Sequence, residues 1–216
     1  MIVCPICGAI EKSDVKLYDE TLKSQNILIS PLHPTCKFCG MEVSISHTAC
    51  SGNVIVLNGT CGSGKTTVAE LLADKGWFAI DGDCAIQSLR HKTGRKQYEW
   101  GQLIDEIRCE IDILSLFSKK IVISHIVLTE DYEKFIEIFE SRNLRYKFIL
   151  LKPQYRTSVE RCQTRTCHAT VTPEKWIKHF YDSLVFDNGV DLVDNTNMTP
   201  QETMEYALKI PFTNPA

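Results

Sequence analysis

Residues 54–66 read VIVLNGTCGSGKT, a short apolar run that passes directly into a glycine-rich stretch. The run predicts a buried strand, and Gly59 to Thr66 match G-x-x-x-x-G-K-[ST] at every fixed position. Glycines at this spacing let backbone N–H groups converge on phosphate oxygens, and the helix that follows adds the positive end of its dipole. We expect Lys65 to reach the β- and γ-phosphates of a nucleotide and the Thr66 hydroxyl to bind Mg²⁺. The predicted nucleotide-binding residues here are Gly59, Thr60, Cys61, Gly62, Ser63, Gly64, Lys65, Thr66 and Thr67.

Strand-like and helix-like segments alternate on the carboxyl-terminal side of this loop. The apolar runs predict strands at 54–57, 77–80, 121–128, 146–151 and 190–193. Helical periodicity and helix-end signals predict helices over 66–74, 102–118, 130–142 and 200–208, with two more from about 155 and 173. The alternation predicts an α/β fold of the P-loop NTPase type, a five-stranded parallel sheet with helices on both faces.

A pair of carboxylates, Asp81 and Asp83, ends the second predicted strand. At the carboxyl edge of a parallel sheet they would face the ligand crevice beside the phosphate loop. One carboxylate can hold the water shell of Mg²⁺ while the other accepts a proton from an attacking hydroxyl. The alternative is a simple strand-ending turn, because Asp-Gly is a strong turn signal.

The first fifty residues carry two C-x-x-C-G knuckles and have too little apolar mass for a core of their own. Two residues between ligands let one tight turn present both sulfurs to the same ion, so two such turns predict a closed, structural Zn²⁺ site. Disulfides and a redox pair are the alternatives. We expect a zinc ribbon at 1–50, around a strand-like stretch at 26–30, and a P-loop kinase domain at 51–216. The predicted zinc ligands are Cys4, Cys7, Cys36 and Cys39.

Over about residues 53–210 the chain resembles the small P-loop kinases, such as shikimate kinase, gluconate kinase and chloramphenicol phosphotransferase. The resemblance rests on the phosphate loop, the D-x-D one helix later and a late arginine-bearing segment. It implies a kinase that uses ATP and Mg²⁺, with Asp83 at the acceptor as the base and Asp81 at the metal. It also implies a lid at about 156–172 that closes over ATP.

The lid residues Arg161 and Arg165 resemble the R-x-x-x-R stretch of gluconate kinase-like lids, which implies contact with the transferring phosphoryl group. Thr196 lies in a turn that resembles the one bordering adenine in these kinases. A solvated helix face is the alternative for each arginine. The surrounding stretch 142–165 has seven basic residues against one acid, namely Arg142, Arg145, Lys147, Lys152, Arg156, Arg161 and Arg165 against Glu160.

Two features depart from the family pattern. The third predicted strand ends in Ser124-His125, where a metal-associated carboxylate often stands, so His125 is a substrate contact, a proton carrier or a structural histidine. Arg90 lies in a basic cluster after the D-x-D that suits an anionic acceptor, or forms part of a solvated loop. None of these residues identifies the acceptor of the phosphoryl group.

Composition argues against two other classes of protein. The formal net charge of −3 argues against a protein that binds nucleic acid over its whole surface. No apolar run approaches the roughly 18 residues of a membrane span. We expect a cytoplasmic protein without a signal peptide, whose single cysteines are small core residues. Its expected partners are a nucleotide and a small-molecule acceptor. The alternatives are a polynucleotide 5′-end kinase that uses the zinc ribbon, and a non-kinase NTPase switch with a protein-docking zinc module.

Overall fold

The computed structural model describes residues 2–17, 34–45, 52–164, 172–186 and 188–215. The strand-like stretch at 26–30, the domain boundary near residue 50, and Arg165 with most of the later lid lie outside these ranges.

The amino-terminal region is built from short antiparallel strands. β1 pairs with β2 on one side and β5 on the other, while β3 pairs with β4. A small buried cluster holds them together: Ile2, Cys4, Val15, Cys36 and Val43. Lys12 Nζ donates to the Leu116 carbonyl at 2.6 Å, which ties this region to the end of a long helix. The strands are β1 Ile2–Cys4, β2 Gly8–Ile10, β3 Val15–Lys16, β4 Thr35–Cys36 and β5 Ser44–Ile45.

The remainder forms a five-stranded sheet in which every pairing is parallel, as predicted. The order β10-β9-β6-β8-β7 places β6, the strand before the phosphate loop, in the centre. After β6 the chain forms β7 and β8 on one side of that strand and then crosses over to form β9 and β10 on the other. Ligands bind at the carboxyl ends of strands where the order reverses in this way. The strands are β6 Gly52–Asn58, β7 Phe78–Asp81, β8 Lys120–Ser124, β9 Leu144–Leu151 and β10 Val190–Val193.

The described residues form seven α-helices, which cover the sheet and its carboxyl edge. Side chains along β6 alternate between faces, with Val54 and Val56 in one apolar cluster and Ile55 and Leu57 in another. Helices α2, α3 and α4 contribute to the first cluster, α1 and α7 to the second. The helices are α1 Lys65–Asp74, α2 Gly82–Thr93, α3 Trp100–Phe117, α4 Tyr132–Glu140, α5 Tyr155–Thr164, α6 Glu174–Ser183 and α7 Pro200–Lys209.

Three sequence expectations require correction. The stretch after Asp81, including Arg90, is the helix α2 rather than a loop, because the Asp81 carboxylate accepts from the N–H groups of Asp83 and Cys84 and caps the helix start. Strand β8 ends at Ser124, four residues before the predicted limit. Cys109 is exposed rather than part of the core, because it lies on the outer face of α3.

Candidate active site

The phosphate loop is held closed by contacts from neighbouring loops and helices. The Asn58 side chain accepts from the N–H of Gly59 at 2.7 Å and bonds both backbone groups of Val127. Gly62 has φ +79°, and a Cβ atom there would lie 2.2 Å from the Ser158 carbonyl of α5, so no other residue fits. The loop is therefore a rigid cradle of backbone, the form that phosphate binding requires.

Lys65 folds over this cradle. Its Nζ donates to the carbonyls of Gly59 at 2.7 Å and Thr60 at 3.0 Å. Burial lowers the pKa of Lys65, while the charges of Asp83 and Asp81 act in the opposite direction. The Thr60 hydroxyl donates to the Ile177 carbonyl of α6 at 3.0 Å, so it connects the phosphate loop to α6.

Three oxygen-bearing side chains meet beside Lys65. The Thr66 hydroxyl donates to Asp81 Oδ2 at 3.2 Å and lies 3.3 Å from the Ser124 hydroxyl. Burial, and then the neighbouring Asp83 carboxylate, raise the pKa of Asp81. A carboxylate and two hydroxyls next to a phosphate cradle fit Mg²⁺, which prefers oxygen ligands and retains several waters.

Asp83 lies in the first turn of α2 and is exposed. It lines a cleft of ≈ 510 Å³ together with the phosphate loop, Asp81 and Arg161. The structure thus brings the predicted base into the same cleft as the predicted phosphate and metal residues. Of the predicted loop residues, Cys61, Gly62, Gly64, Lys65, Thr66 and Thr67 line the cleft.

His125 also lines the cleft and is buried. Its ring stacks on Trp100 with centroids 5.5 Å apart, and a Cβ on Gly82 would lie 2.1 Å from its Nδ1. That close approach explains the glycine between the two aspartates. Burial, and then the charge of Lys65, lower the pKa of His125 to about 3, so the ring is neutral.

Arg161 connects α5 to the turn that is predicted to border adenine. Its guanidinium donates to the carbonyls of Asn195 at 3.1 Å and Thr196 at 3.3 Å. The Thr196 hydroxyl accepts from the Gln154 N–H at 2.8 Å. Arg161 also lines the cleft, whereas Arg90 does not. The Nε of Arg90 donates to the Lys96 carbonyl, and the Arg90 guanidinium lies 5.6 Å from the centre of the Tyr98 ring. The roles of these residues, and of Arg165, stay predictions.

Sequence reasoning missed several residues that build the site. Asn58 and Asn195 hold the phosphate loop, the latter by donating to the Ser63 carbonyl at 2.9 Å. Trp100 and Tyr98 line the cleft. Asn58 could have been found from the sequence, because it lies directly before the first glycine of the loop. No sequence feature marks Trp100 as part of the site, because it reaches the cleft only through the packing of α3 against the sheet.

The four predicted zinc ligands converge on one point, and their sulfurs all lie within 4.8 Å of one another. The separations are 3.4 Å for Cys4–Cys39, 3.7 Å for Cys7–Cys39 and 3.8 Å for Cys36–Cys7. Sulfurs bound at about 2.3 Å to one tetrahedral ion lie about 3.8 Å apart, so the cluster fits Zn²⁺. The N–H of Cys7 donates to the Cys4 sulfur and lowers the pKa of Cys4 to about 7, which favours the thiolate that zinc needs.

No protein-family model and no curated protein matches the sequence. Among solved structures, the chain is similar to a gluconokinase from Sinorhizobium meliloti 1021, with 23% identity and a TM-score of 0.53 over 72% of this chain and 89% of that one. It is also similar to the Deinococcus radiodurans tunicamycin resistance protein, with 16% identity and a TM-score of 0.57 over 76% and 99%.

A third similar structure is a chain of the Pnkp1/Rnl/Hen1 RNA repair complex, with 13% identity and a TM-score of 0.53 over 79% of this chain and 50% of that one. At these identities the likeness defines the fold. The chain has the fold of the small P-loop kinases. At its amino-terminal end that fold is extended by a four-cysteine cluster compatible with a zinc ribbon. Within the described ranges, no helix has both the length and the apolar character to cross a membrane.

Proposed function

We propose that the protein is an ATP- and Mg²⁺-dependent phosphotransferase that moves the γ-phosphoryl group to a hydroxyl of a small molecule. The observation that carries this proposal is the convergence of three groups in one cleft: Lys65 on its glycine cradle, the Thr66–Asp81 oxygen pair, and the exposed carboxylate of Asp83. A nucleotide-binding switch needs the first two groups but has no use for the third.

Each residue has a role that follows from its position. The backbone of the phosphate loop and Lys65 hold the phosphates, and Thr66 with Asp81 would hold Mg²⁺. The ion supplies positive charge that stabilises the oxygens of the transferring phosphoryl group. Asp83 accepts the proton of the acceptor hydroxyl as its oxygen bonds to the γ-phosphorus and the bond from that phosphorus to ADP breaks.

The lid supplies the remaining charge in this proposal. Arg161 lies on α5, which packs against the phosphate loop at Gly62 and bonds to the turn at Thr196. A small movement of α5 would change the position of Arg161 relative to both the loop and the turn. Arg165 is assigned to the same transition-state charge on the basis of its place in the R-x-x-x-R stretch.

Polynucleotide 5′-end phosphorylation is a second candidate, supported by the fold shared with a chain of the RNA repair complex. Residues 1–50 contain four lysines, no arginine and five acids, a poor set for neutralising several backbone phosphates. Hydrolysis of ATP without an acceptor is the third candidate. An acceptor screen distinguishes 5′-end phosphorylation and simple hydrolysis from the activity of a small-molecule kinase.

The test is the fate of the γ-phosphoryl group. The full, zinc-loaded chain is incubated with Mg²⁺ and γ-labelled ATP and a panel of nucleosides, nucleotides, sugar acids, aminoglycosides and oligonucleotides. The Asp83→Asn variant removes the proposed base, and Asp105→Asn is the matched control, an exposed acid of α3 that pairs with Arg108 outside the cleft.

We expect label in one small-molecule class for the wild type and for Asp105→Asn, with a loss of about 100-fold or more in Asp83→Asn. Label that appears as free phosphate at the same rate in all three proteins would contradict the proposal and favour a non-kinase NTPase. Label confined to oligonucleotides would favour the second candidate.

A further inference from the structure

The cleft is lined by two kinds of side chain. One part of the lining is polar and contains the phosphate loop, Lys65 and Arg161. Another part, called here the aromatic end, is apolar and aromatic and contains Ile86, Tyr98, Trp100 and His125. Contacts place it next to Asp83: the Trp100 ring stacks on His125, His125 packs against Gly82, and Ile86 follows Asp83 by three residues on the same face of α2. A molecule whose hydroxyl reaches Asp83 therefore has these side chains beside it.

Among the described residues, no cationic side chain lines the aromatic end of the cleft. The cations in the lining are Lys65, which bonds to carbonyls of the phosphate loop, and Arg161, which bonds to the turn at Thr196. The guanidinium of Arg90 lies 5.6 Å from the centre of the Tyr98 ring but does not line the cleft. An acceptor that carries its own carboxylate or phosphate would lose water there without gaining an ion pair.

Two ring nitrogens at this end have no hydrogen-bond partner among the residues that the structure describes. They are Nε2 of His125 and Nε1 of Trp100, which belong to the stacked ring pair and are both buried. Only 5% of His125 is exposed. Buried polar atoms are rarely left without partners, and those that are often mark a binding site. A rotation of either ring toward the cleft would let its nitrogen bond to a polar edge of a bound molecule.

From these observations we propose, resting on the phosphotransferase function above, that the acceptor is an uncharged, hydroxyl-bearing molecule with a planar aromatic or heteroaromatic ring. The ring packs against Tyr98 and Trp100, the unpartnered nitrogens bond its polar edge, and its hydroxyl lies at Asp83. Nucleosides and aryl-bearing antibiotics share this chemistry. Sugar acids and aminoglycosides lack it.

The first experiment measures binding, so it does not depend on catalysis. Calorimetry with the full, zinc-loaded chain and a non-hydrolysable ATP analogue compares adenosine, thymidine and chloramphenicol with gluconate and shikimate. Tyr98→Leu removes an aromatic face from the cleft, and Tyr206→Leu is the matched control, since Tyr206 is 50% exposed on α7 and does not line the cleft. Trp100→Phe keeps a ring but removes the indole N–H.

We expect at least one of the three ring compounds to bind, about tenfold more weakly in Tyr98→Leu and unchanged in Tyr206→Leu. Whether adenosine and thymidine bind, or chloramphenicol does, distinguishes a nucleoside acceptor from an aryl-bearing antibiotic. Trp100→Phe should lower the affinity for the same compound less than Tyr98→Leu does. If circular dichroism shows that Tyr98→Leu does not fold, Trp100→Phe becomes the test of whether the aromatic side chains of the cleft bind the compound. Binding by none of the ring compounds, or binding indifferent to both cleft variants, would overturn the inference.

The labelled-ATP assay separates this inference from the function on which it rests. Transfer to gluconate or shikimate at a rate unchanged in Tyr98→Leu would overturn the aromatic acceptor and leave the kinase function intact. Ring-compound binding lost in Tyr98→Leu, with label released only as free phosphate, would support the subsite and contradict phosphoryl transfer.

Discussion

The amino-terminal region and the sheet domain differ in what holds them together. Among the described residues of the first region, the buried apolar cluster has five members, and two of these are the cysteines Cys4 and Cys36. The clusters on the two faces of the sheet have 19 and 13 buried residues. Because so small a described cluster offsets little of the entropy of ordering the chain, we expect the first region to depend on metal–sulfur bonds and the second on apolar burial.

Removal of zinc should give the largest effect and should be confined to one region. Structural zinc contributes about 10–16 kcal/mol of apparent folding free energy in zinc-finger peptides at pH 7. We expect a chelator, or the Cys36→Ser substitution, to unfold 2–17 and 34–45 while the sheet stays folded. Hydrogen exchange measured by mass spectrometry resolves the two regions.

The matched control for Cys36→Ser is Cys109→Ser, which removes an exposed cysteine of α3. It should leave zinc content and exchange unchanged. If β6 and β8 lose protection from hydrogen exchange at the same chelator concentration as β1 does, the two regions are not stabilised independently.

Lys65→Met should abolish function without loosening either region. Removing a charge that stabilises the transferring phosphoryl group costs about 100- to 1,000-fold in rate, and Lys65 contacts only carbonyls of its own loop among its hydrogen-bond partners. Label transfer and thermal unfolding of the same preparation are measured. Lys75→Met, at the exposed end of α1, is the control. A variant that retains a tenth or more of the wild-type rate would exclude Lys65 from the chemistry.

Glu110 offers a test of the sheet domain alone. Burial raises its pKa from 4.5 to about 8, with Glu106 as the next cause, at the interface of α2 and α3. A folded-state pKa above the unfolded value means that stability is lost as pH rises from about 4.5 to about 8, because the unfolded chain releases its proton first.

Glu110→Gln removes this loss, so in urea unfolding we expect its free energy of unfolding to exceed that of the wild type by about 4 kcal/mol at pH 8, with the gap closing toward pH 4.5. Asp105→Asn, on the exposed side of α3, should follow the wild type at every pH. A gap that stays constant with pH would show that the carboxylate is not the cause.

The smallest effect is expected at the tip of a zinc knuckle. Phe38 is 70% exposed between Cys36 and Cys39, so it adds almost nothing to the ribbon's core. Phe38→Ser should change the free energy of unfolding by less than about 0.5 kcal/mol and leave zinc content unaltered. Val43→Ser, in the buried cluster, is the contrasting variant and should weaken zinc retention. Equal effects from both would mean that Phe38 packs against something in solution.

Much of this organisation was predictable from the sequence, since it depends on local patterns. The phosphate loop and the cysteine knuckles have fixed spacings, and the strands at 54–57 and 190–193 have short apolar runs. The start of α2 was missed because Asp-Gly favours a turn, while the Asp81 carboxylate in fact caps a helix. The stacking of Trp100 on His125 joins α3 to the end of β8, a contact that no local pattern reports.

The central claim places the chemistry in the cleft and assigns zinc a structural role. Its most direct test compares label transfer by the zinc-depleted wild type with transfer by zinc-loaded Asp83→Asn, with one acceptor and at a temperature where the sheet is folded. The account predicts that the depleted wild type stays within about threefold of its zinc-loaded rate, whereas Asp83→Asn loses about 100-fold or more. Transfer abolished by zinc removal and retained by Asp83→Asn would contradict it.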